Sequence, residues 1–324
     1  MQPGYDDMHV DALLTSMSIA YKNEMYIAEE IFPQVEVLNR SDIVPRYDKS
    51  FWFRDEVQRL APMQPAPVSG YEVDTTMTYY CHEYGLGHVI PDQTRDNTDE
   101  PFSPDRDGMM WLTDKMEMAK ERHFVSNFWK TSVWTTDKSG TSDTDFIQWD
   151  SYGTSSPIVN IRSWKRTVRH LIARNPNVLV LGDVTFDTLA DHPVILDRVK
   201  YGASQNNPAV VTENLIAQLL GLSKVLVGTS IYTADLEGTA ESSVTYSANW
   251  SDSGLLLFQP SAPSLMTPSA GYNFIWKTAF GGPQYLRKRR EPLSEKGDLL
   301  EIYSFWDMKV TAADAGLYIG DTVS

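Results

Sequence analysis

The sequence predicts an α+β protein, and three stretches carry that prediction. Residues 103–132 read as one long helix, 175–228 alternate short apolar strand-like runs with short helical ones, and 299–310 (LLEIYSFWDMKV) read as one long strand.

The long helix has a legible start. Ser103 can cap it, and Pro104 suits a first turn in which a missing N–H costs nothing. Asp105 and Asp107 sit where the positive end of the helix dipole favours them. Met109, Leu112, Met116 and Ala119 recur at spacings of three and four, and Val125, Phe128 and Trp129 continue that apolar face. Asp114, Lys115, Glu117, Lys120 and Glu121 take the other side, expected to look toward solvent or a neighbouring subunit. About 28 residues would run about 42 Å. Periodicity alone fits a plain core helix equally well; the length suggests a strut from which more extended pieces hang. Its apolar face is expected to pack on the strand 299–310 near Tyr303, Phe305 and Trp306.

Ahead of the strut, 21–31 (YKNEMYIAEEI) reads as a helix, stopped by Phe32-Pro33, because the residue before proline is pushed out of the α region. Residues 34–48 then alternate as a strand would. Pro45, Pro62, Pro65, Pro67 and Gly70 punctuate the next stretch, so its middle, RLAPMQPAPVSGY, forms neither helix nor central strand. Phe51-Trp52-Phe53 precede that middle and the strand-like 71–92 follows it. The expectation is a two-stranded excursion with a Pro-rich tip, which is marginal alone and wants a partner surface.

Past the strut, 134–156 has loop composition. Residues 160–173 read as a helix with Ile161, Trp164, Val168, Leu171 and Ile172 inward, and NVLVLGD as a buried strand with a turn. Short helices follow over 185–190 and 193–201, split by His192-Pro193. A further helix spans 211–220 with Gly221 as its cap, and KVLVG is a second strand. Residues 244–258 and 272–276 read as strands, and 313–319 are small and apolar enough to return into a core.

The totals narrow the function. A chain of 324 residues can bury a sizeable core in one large domain or two ordinary ones. A formal charge of −15 disfavours a broad nucleic-acid-binding surface, which needs clustered Lys and Arg. The one local exception, Arg287-Lys288-Arg289-Arg290, reads as a solvated strand end. A single cysteine, Cys81, excludes an intramolecular disulfide and fits a reducing compartment. No stretch approaches the roughly 20 apolar residues of a membrane span, and the N-terminus lacks the features of a signal peptide. The reading is a protein made in the cytoplasm, with no membrane partner.

No motif carries catalysis. His82-Glu83 and His88 are not spaced as a zinc protease requires, since its two histidines must stand four apart on one helical turn. Gly182-Asp183 lacks a phosphate-cradling glycine pattern, and no nucleophile elbow is present. Cys81 reads as a buried strand residue rather than a nucleophile. An acidic, aromatic-rich glycoside hydrolase or carbohydrate-binding protein is the alternative reading, because tryptophans could stack sugars and a carboxylate pair could cleave them. No two carboxylates are singled out by context, so no catalytic, metal or cofactor residue is assigned.

Several strings in their joint order resemble one family: HVDALLTSMSIAYKNEMYIAEEIFPQVEV (9–37), YDKSFWFRDE (47–56), EYGLGHVIPDQTRDN (83–97), NPNVLVLGDVTFDTLADHPVILDRVKYG (175–202), VVTENLIAQLLGLSKVLVG (210–228), PSLMTPSAGYNFIW (263–276) and ADAGLYI (313–319). With the long helix, they make the chain resemble major capsid proteins of tailed double-stranded DNA bacteriophages with the Hong Kong 97-type capsid fold. The resemblance implies an N-terminal arm at 1–40 and an extended loop at 41–95 that reaches over a neighbouring subunit. It implies a peripheral domain at 96–176 with the spine helix 103–132, an axial domain at 177–296, and a return to the peripheral domain at 297–324. The implied function is assembly into pentamers and hexamers of an icosahedral virion capsid that encloses DNA without binding it specifically. Its partners would be further copies of itself, a separate scaffolding protein, a portal and a decoration protein. A long scaffolding segment ahead of the arm finds no room, so a separate scaffold or prior trimming is expected. Phe51, Trp52, Phe53 and Arg54 are the expected loop contacts, and Met17, Tyr21 and Tyr26 the expected arm contacts.

Overall fold

The computed structural model describes residue 23 and residues 25–98, 103–141, 144–202, 211–263, 267–277, 284–292 and 296–324. In chain order the first half carries α1 (Ala28–Ile31), β1 (Gln34–Val37), β2 (Ser41–Ile43), β3 (Arg46–Tyr47), α2 (Lys49–Trp52), β4 (Val73–Asp74), β5 (Thr78–Tyr80), β6 (His82–Pro91), α3 (Asp92–Asp96), α4 (Pro104–Phe128) and β7 (Thr136–Ser139). The second half carries α5 (Pro157–Ile172), β8 (Val178–Gly182), α6 (Asp183–Ala190), α7 (Pro193–Gly202), α8 (Glu213–Leu220), β9 (Lys224–Gly228), β10 (Ile231–Tyr232), β11 (Ser247–Ala248), β12 (Gly254–Leu257), β13 (Gly271–Trp276), β14 (Gln284–Arg290), β15 (Gly297–Val310) and β16 (Gly316–Gly320).

Two five-stranded sheets organise the chain. In the first, β15 is the axis: β6 pairs with it antiparallel from His82↔Trp306 to Pro91↔Gly297. On its other side lie β14 and, further along, β13, which is bordered in turn by parallel β1. The second sheet runs β7-β16-β12-β8-β9. Its strand β8 (VLVLG) is buried at every position, which is why it shows an unbroken apolar run rather than alternation. Both sheets draw strands from either side of residue 297, so a division into 177–296 and 297–324 does not coincide with them.

The helices follow their local signals, with instructive exceptions. Helix α5 buries Ile161, Trp164, Val168 and Ile172 as its periodicity predicts, and starts three residues earlier than expected, with Pro157 in its first turn. Thr212 caps α8 by accepting the N–H of Leu215, and Gly221 closes it at φ 62°, a left-handed conformation glycine adopts without strain. Lys165 Nζ donates to the carbonyls of Leu220 and Gly221, both at 2.7 Å, satisfying that helix end.

Helix α4 is the strut the sequence predicts, but it ends at Phe128, not 132. Trp129 turns away, its indole N–H donating to Ser251 Oγ at 2.9 Å, and Trp134 Nε1 donates to the Phe128 carbonyl at 3.0 Å. Ser103 makes no side-chain cap bond. The face α4 buries is Gly108, Leu112, Met116, Lys120, Glu121, Phe124 and Phe128, while Ala119 is exposed. Lys120 and Glu121, expected to face outward, are therefore corrected to interior positions; the arm and the segment 228–250 cover the side assigned to solvent.

A second correction concerns what the helix packs on. Leu112 and Met116 meet Ile90, Leu300 and Ile302. His123 stands edge-on to Trp306 at 4.9 Å. Trp306 is thus a contact region as expected, whereas Phe305 belongs to a separate cluster with Tyr79, Cys81, Tyr272 and Phe274, and Tyr303 stacks on Tyr285 at 5.1 Å. Side chains along a strand alternate between faces, so Leu300, Ile302 and Trp306 point to the helix and Tyr303 and Phe305 away from it.

Within the predicted helix 21–31, only Ala28–Ile31 is helical among the described residues, and 25–27 lie ahead of it in irregular backbone. No described helix is long and apolar enough to cross a membrane.

Candidate assembly surfaces

The excursion between β1 and β6 is a two-stranded ribbon. Strands β2 and β5 pair antiparallel over Ser41↔Tyr80 to Ile43↔Thr78, and β3 and β4 continue the ribbon at Arg46↔Asp74 and Tyr47↔Val73. Beyond it, residues 53–72 form no helix or strand, as Pro62, Pro65, Pro67 and Gly70 dictate. Asp48 starts the short α2 by accepting the N–H of Ser50 at 2.8 Å. Arg46 pairs with Asp74 at 2.7 Å. Hydrogen bonds from Thr76, then that guanidinium, hold the Asp74 carboxyl down at about 2. At the head end, Lys49, between Tyr47 and Trp52, pairs with Asp314, which also accepts from Thr135 Oγ1 at 2.7 Å.

The ribbon carries an apolar head. Tyr47, Trp52 and Tyr71 form a triangle of rings with centroids 5.7 to 6.2 Å apart. Phe51 is half-buried beneath the Arg54 guanidinium, 4.9 Å from the ring centroid, and Arg54 also pairs with Glu56 at 3.2 Å. Trp52 and Phe53 remain 53% and 61% exposed, Tyr71 is exposed beside Trp52, and Val57, Met63 and Val68 are exposed elsewhere in the same loop. Exposed aromatic side chains of this kind make the ribbon head a candidate interaction surface. Thus the expected loop residues 51–54 sit together at the head. Tyr47, Val57, Met63, Val68 and Tyr71 were missed, although the Pro-rich composition around them signalled an exposed tip.

The arm lies against the spine. Tyr26 is half-buried, donates to Asp114 Oδ1 at 3.1 Å and accepts from Asn23 at 3.2 Å. Burial pushes its phenol up to about 12. Asn23 accepts the N–H of Ile231 at 3.0 Å and donates to its carbonyl at 3.1 Å, imitating a strand partner. Met17 and Tyr21 lie outside the described residues. The arm's firmest hold is Glu121, which sequence reasoning placed on the wrong face. Its Oε2 accepts the backbone N–H of Ile27 at 3.1 Å and of Ala28 at 2.9 Å. Its Oε1 accepts from Trp250 Nε1 at 2.7 Å and Ser230 Oγ at 3.1 Å. Burial raises this carboxyl's pKa above its ordinary value, with the four donors opposing. Lys120 beside it pairs with Glu29 at 2.5 Å.

The basic run is internally matched. Lys288 pairs with Asp105 at 2.7 Å and Asp298 at 3.2 Å, Arg289 with Glu301 at 2.9 Å, and Arg290 with Asp92 at 2.5 Å and Asp298 at 3.3 Å. These residues tie β14 to β15, α3 and the start of α4; they do not form a free cationic patch. Cys81 is fully buried, and burial pushes its thiol up to about 11, which makes it a packing residue. Among the described residues, no three His, Cys, Asp or Glu side chains converge to hold a metal.

No family model matches the chain. Two phage proteins are similar to it in sequence. The major capsid protein of Burkholderia phage BcepMu is 23% identical over 230 residues, covering 70% of this chain and 71% of that protein. The major capsid protein of Pseudomonas phage JBD67 is 28% identical over 225 residues, covering 68% of each. Among solved structures, the capsid of cyanophage P-SCSP1u matches over 97% of this chain and 93% of that one, with a TM-score of 0.60 at 8% identity. The architecture is the Hong Kong 97-type capsid fold. Its two sequence relatives are both major capsid proteins of phages, so the chain is similar to such proteins in sequence as well as in fold. Neither relative supports the glycoside hydrolase reading.

Proposed function

We propose that copies of this chain form pentamers and hexamers that close an icosahedral head around double-stranded DNA. The observation that carries this reading is the ribbon over 41–80, whose head leaves Trp52 and Phe53 exposed. In this reading residues 41–95 are the extended loop lying across a neighbouring subunit, 1–40 the arm, the helix Pro104–Phe128 the spine, and 177–296 the axial region at the capsomer centre. The peripheral domain is 96–176 and resumes at 297–324. Apolar area at the ribbon head supplies the binding energy, and Arg54 with its neighbouring charges supplies specificity. Of the arm contacts, Tyr26 already serves its own spine, so 51–54 carry the contact between subunits.

A scaffolding protein, a portal and a decoration protein complete the assembly in this reading. The net charge of −15 suits an interior wall that encloses DNA without gripping it. The test is expression with and without a scaffold, followed by size-exclusion chromatography and negative-stain microscopy. Closed shells are expected, and Phe51→Ala with Trp52→Ala is expected to abolish them while the subunit stays folded. A subunit that remains monomeric under every condition would overturn the reading.

A further inference from the structure

Charge is sharply divided in the middle of this acidic chain. Between Ser151 and Gly182 stand Arg162, Lys165, Arg166, Arg169 and Arg174, and no Asp or Glu. From Asp183 to Asp197 the sign inverts: Asp183, Asp187, Asp191 and Asp197 stand there with no Lys or Arg. The cations lie on α5 and just after it; the carboxylates lie on α6, at its end and on α7.

Burial fixes which way each row points. Helix α5 turns Ile161, Trp164, Val168 and Ile172 inward, with Trp164 edge-on to Phe146 at 5.2 Å. Its opposite face carries Val159, Arg162, Arg166 and Arg169, all exposed, at steps of three and four. Helix α6 buries Thr185, Thr188 and Leu189, and the hydroxyl oxygens of Thr185 and Thr322 lie 2.7 Å apart. Its outward row is Val184, Asp187 and Asp191; Asp191 ends the helix with helical backbone angles and so stays in line. The two rows share one spacing. Each has an exposed valine followed by charges three and seven residues on, positive on α5 and negative on α6. The two charges of a row stand about 6 Å apart along the helix axis.

These charges go unmatched within the subunit. Among the described residues, none bonds or ion-pairs with the side chains of Arg162, Arg166, Arg169, Asp187 or Asp191. Lys165, by contrast, is folded back onto the carbonyls of Leu220 and Gly221. Burial, and then the neighbouring Arg162 charge, lower its pKa.

We propose that α5 and α6 form a contact between copies of this chain. Valine meets valine, Arg162 of one copy faces Asp187 of the next, and Arg166 faces Asp191. The contact joins two different surfaces, so every copy carries one of each, and successive copies close a ring or run on as a fibre. The like pairings, α5 on α5 and α6 on α6, are excluded by repulsion, which gives the contact its direction. That the ring is a pentamer or hexamer of a shell rests on the assembly reading above.

Charge reversal tests this on the full-length chain. Arg162→Glu with Arg166→Glu leaves two acidic rows, and Asp187→Lys with Asp191→Lys leaves two basic ones. Each double variant should self-associate at least about 100-fold more weakly by analytical ultracentrifugation. Melting temperatures should hold, because every altered side chain is exposed. Mixing the two variants should restore association, since an acidic α5 then meets a basic α6. Strict alternation closes only rings with an even number of members. Native mass spectrometry should therefore find hexamers without pentamers in the mixture, and both in the fourfold variant that reverses every charge in one chain. Double variants that assemble as the unmodified chain does would overturn the contact and leave the assembly reading standing. So would a loss of duplex DNA binding on reversing α5 with self-association intact, which would make α5 a phosphate-binding row instead. Should reversal prevent folding, Arg166→Cys mixed with Asp191→Cys and a short bis-maleimide decides: a crosslinked pair is expected, and its absence overturns the contact. Crosslinked pairs from a chain that never closes shells would sink the assembly reading alone.

Discussion

The ribbon head and the spine-facing side of the first sheet use the same residues for opposite ends. At the head, Trp52 leans on Tyr47 and Tyr71 and keeps half its surface in water. Under the spine, Trp306 is fully buried, stacked on Tyr84 at 4.2 Å and capped edge-on by His123. One tryptophan holds its own subunit together; the other, in the proposed reading, is left for a neighbouring subunit. Ring identity and neighbouring sequence do not separate the two roles. The presence of a second layer does.

This contrast can be broken by one substitution made twice. Trp306→Ala should destabilise the subunit by roughly 3–5 kcal/mol, the cost of emptying a large aromatic site, and should leave little soluble protein. Trp52→Ala should shift the denaturation midpoint by less than about 1 kcal/mol and act on assembly. Denaturant titration of the two variants side by side checks both. A large loss of stability in Trp52→Ala would erase the distinction and return that ring to the core.

A smaller effect sharpens the buried side. Burial holds His88, His123 and His192 below the ordinary histidine pKa. The unfolded chain therefore binds protons that the folded chain refuses once the pH drops below about 6.5. Stability should fall as the medium is acidified from neutrality through that point, whereas the ribbon head contains no histidine and should contribute nothing. Melting curves between pH 7.5 and 5.5 measure this. His123→Phe, which keeps a ring against Trp306, should flatten part of the slope.

What the sequence made legible follows the same divide. The ribbon, the helix caps at Thr212 and Gly221, and the split at His192-Pro193 are written locally, in prolines, glycines and capping side chains. The strut was legible from its period. What could not be read was set by partners distant in the chain. Lys120 and Glu121 look like solvent-facing residues until Glu29, Ser230 and Trp250 are placed around them. Residues 25–27 have helical composition, yet Glu121 takes the N–H of Ile27, and the Tyr26 hydroxyl is drawn to Asp114. The face of β15 that meets the helix was misjudged at Tyr303 and Phe305, because a strand with large side chains on both sides gives no clue to which layer lies where.

The interleaving of the two sheets bears on how the chain is made. Gln34 is paired with Asn273, and Thr136 with Leu317. Neither sheet can close while the ribosome is still partway through the message, since early strands wait for partners hundreds of residues later. Folding of this kind is slow and leaves strand edges open in the meantime. It also acts as a filter: a polypeptide released before residue 316 lacks the strand that sits between β7 and β12, so truncated products are kept out of the pool of competent building blocks.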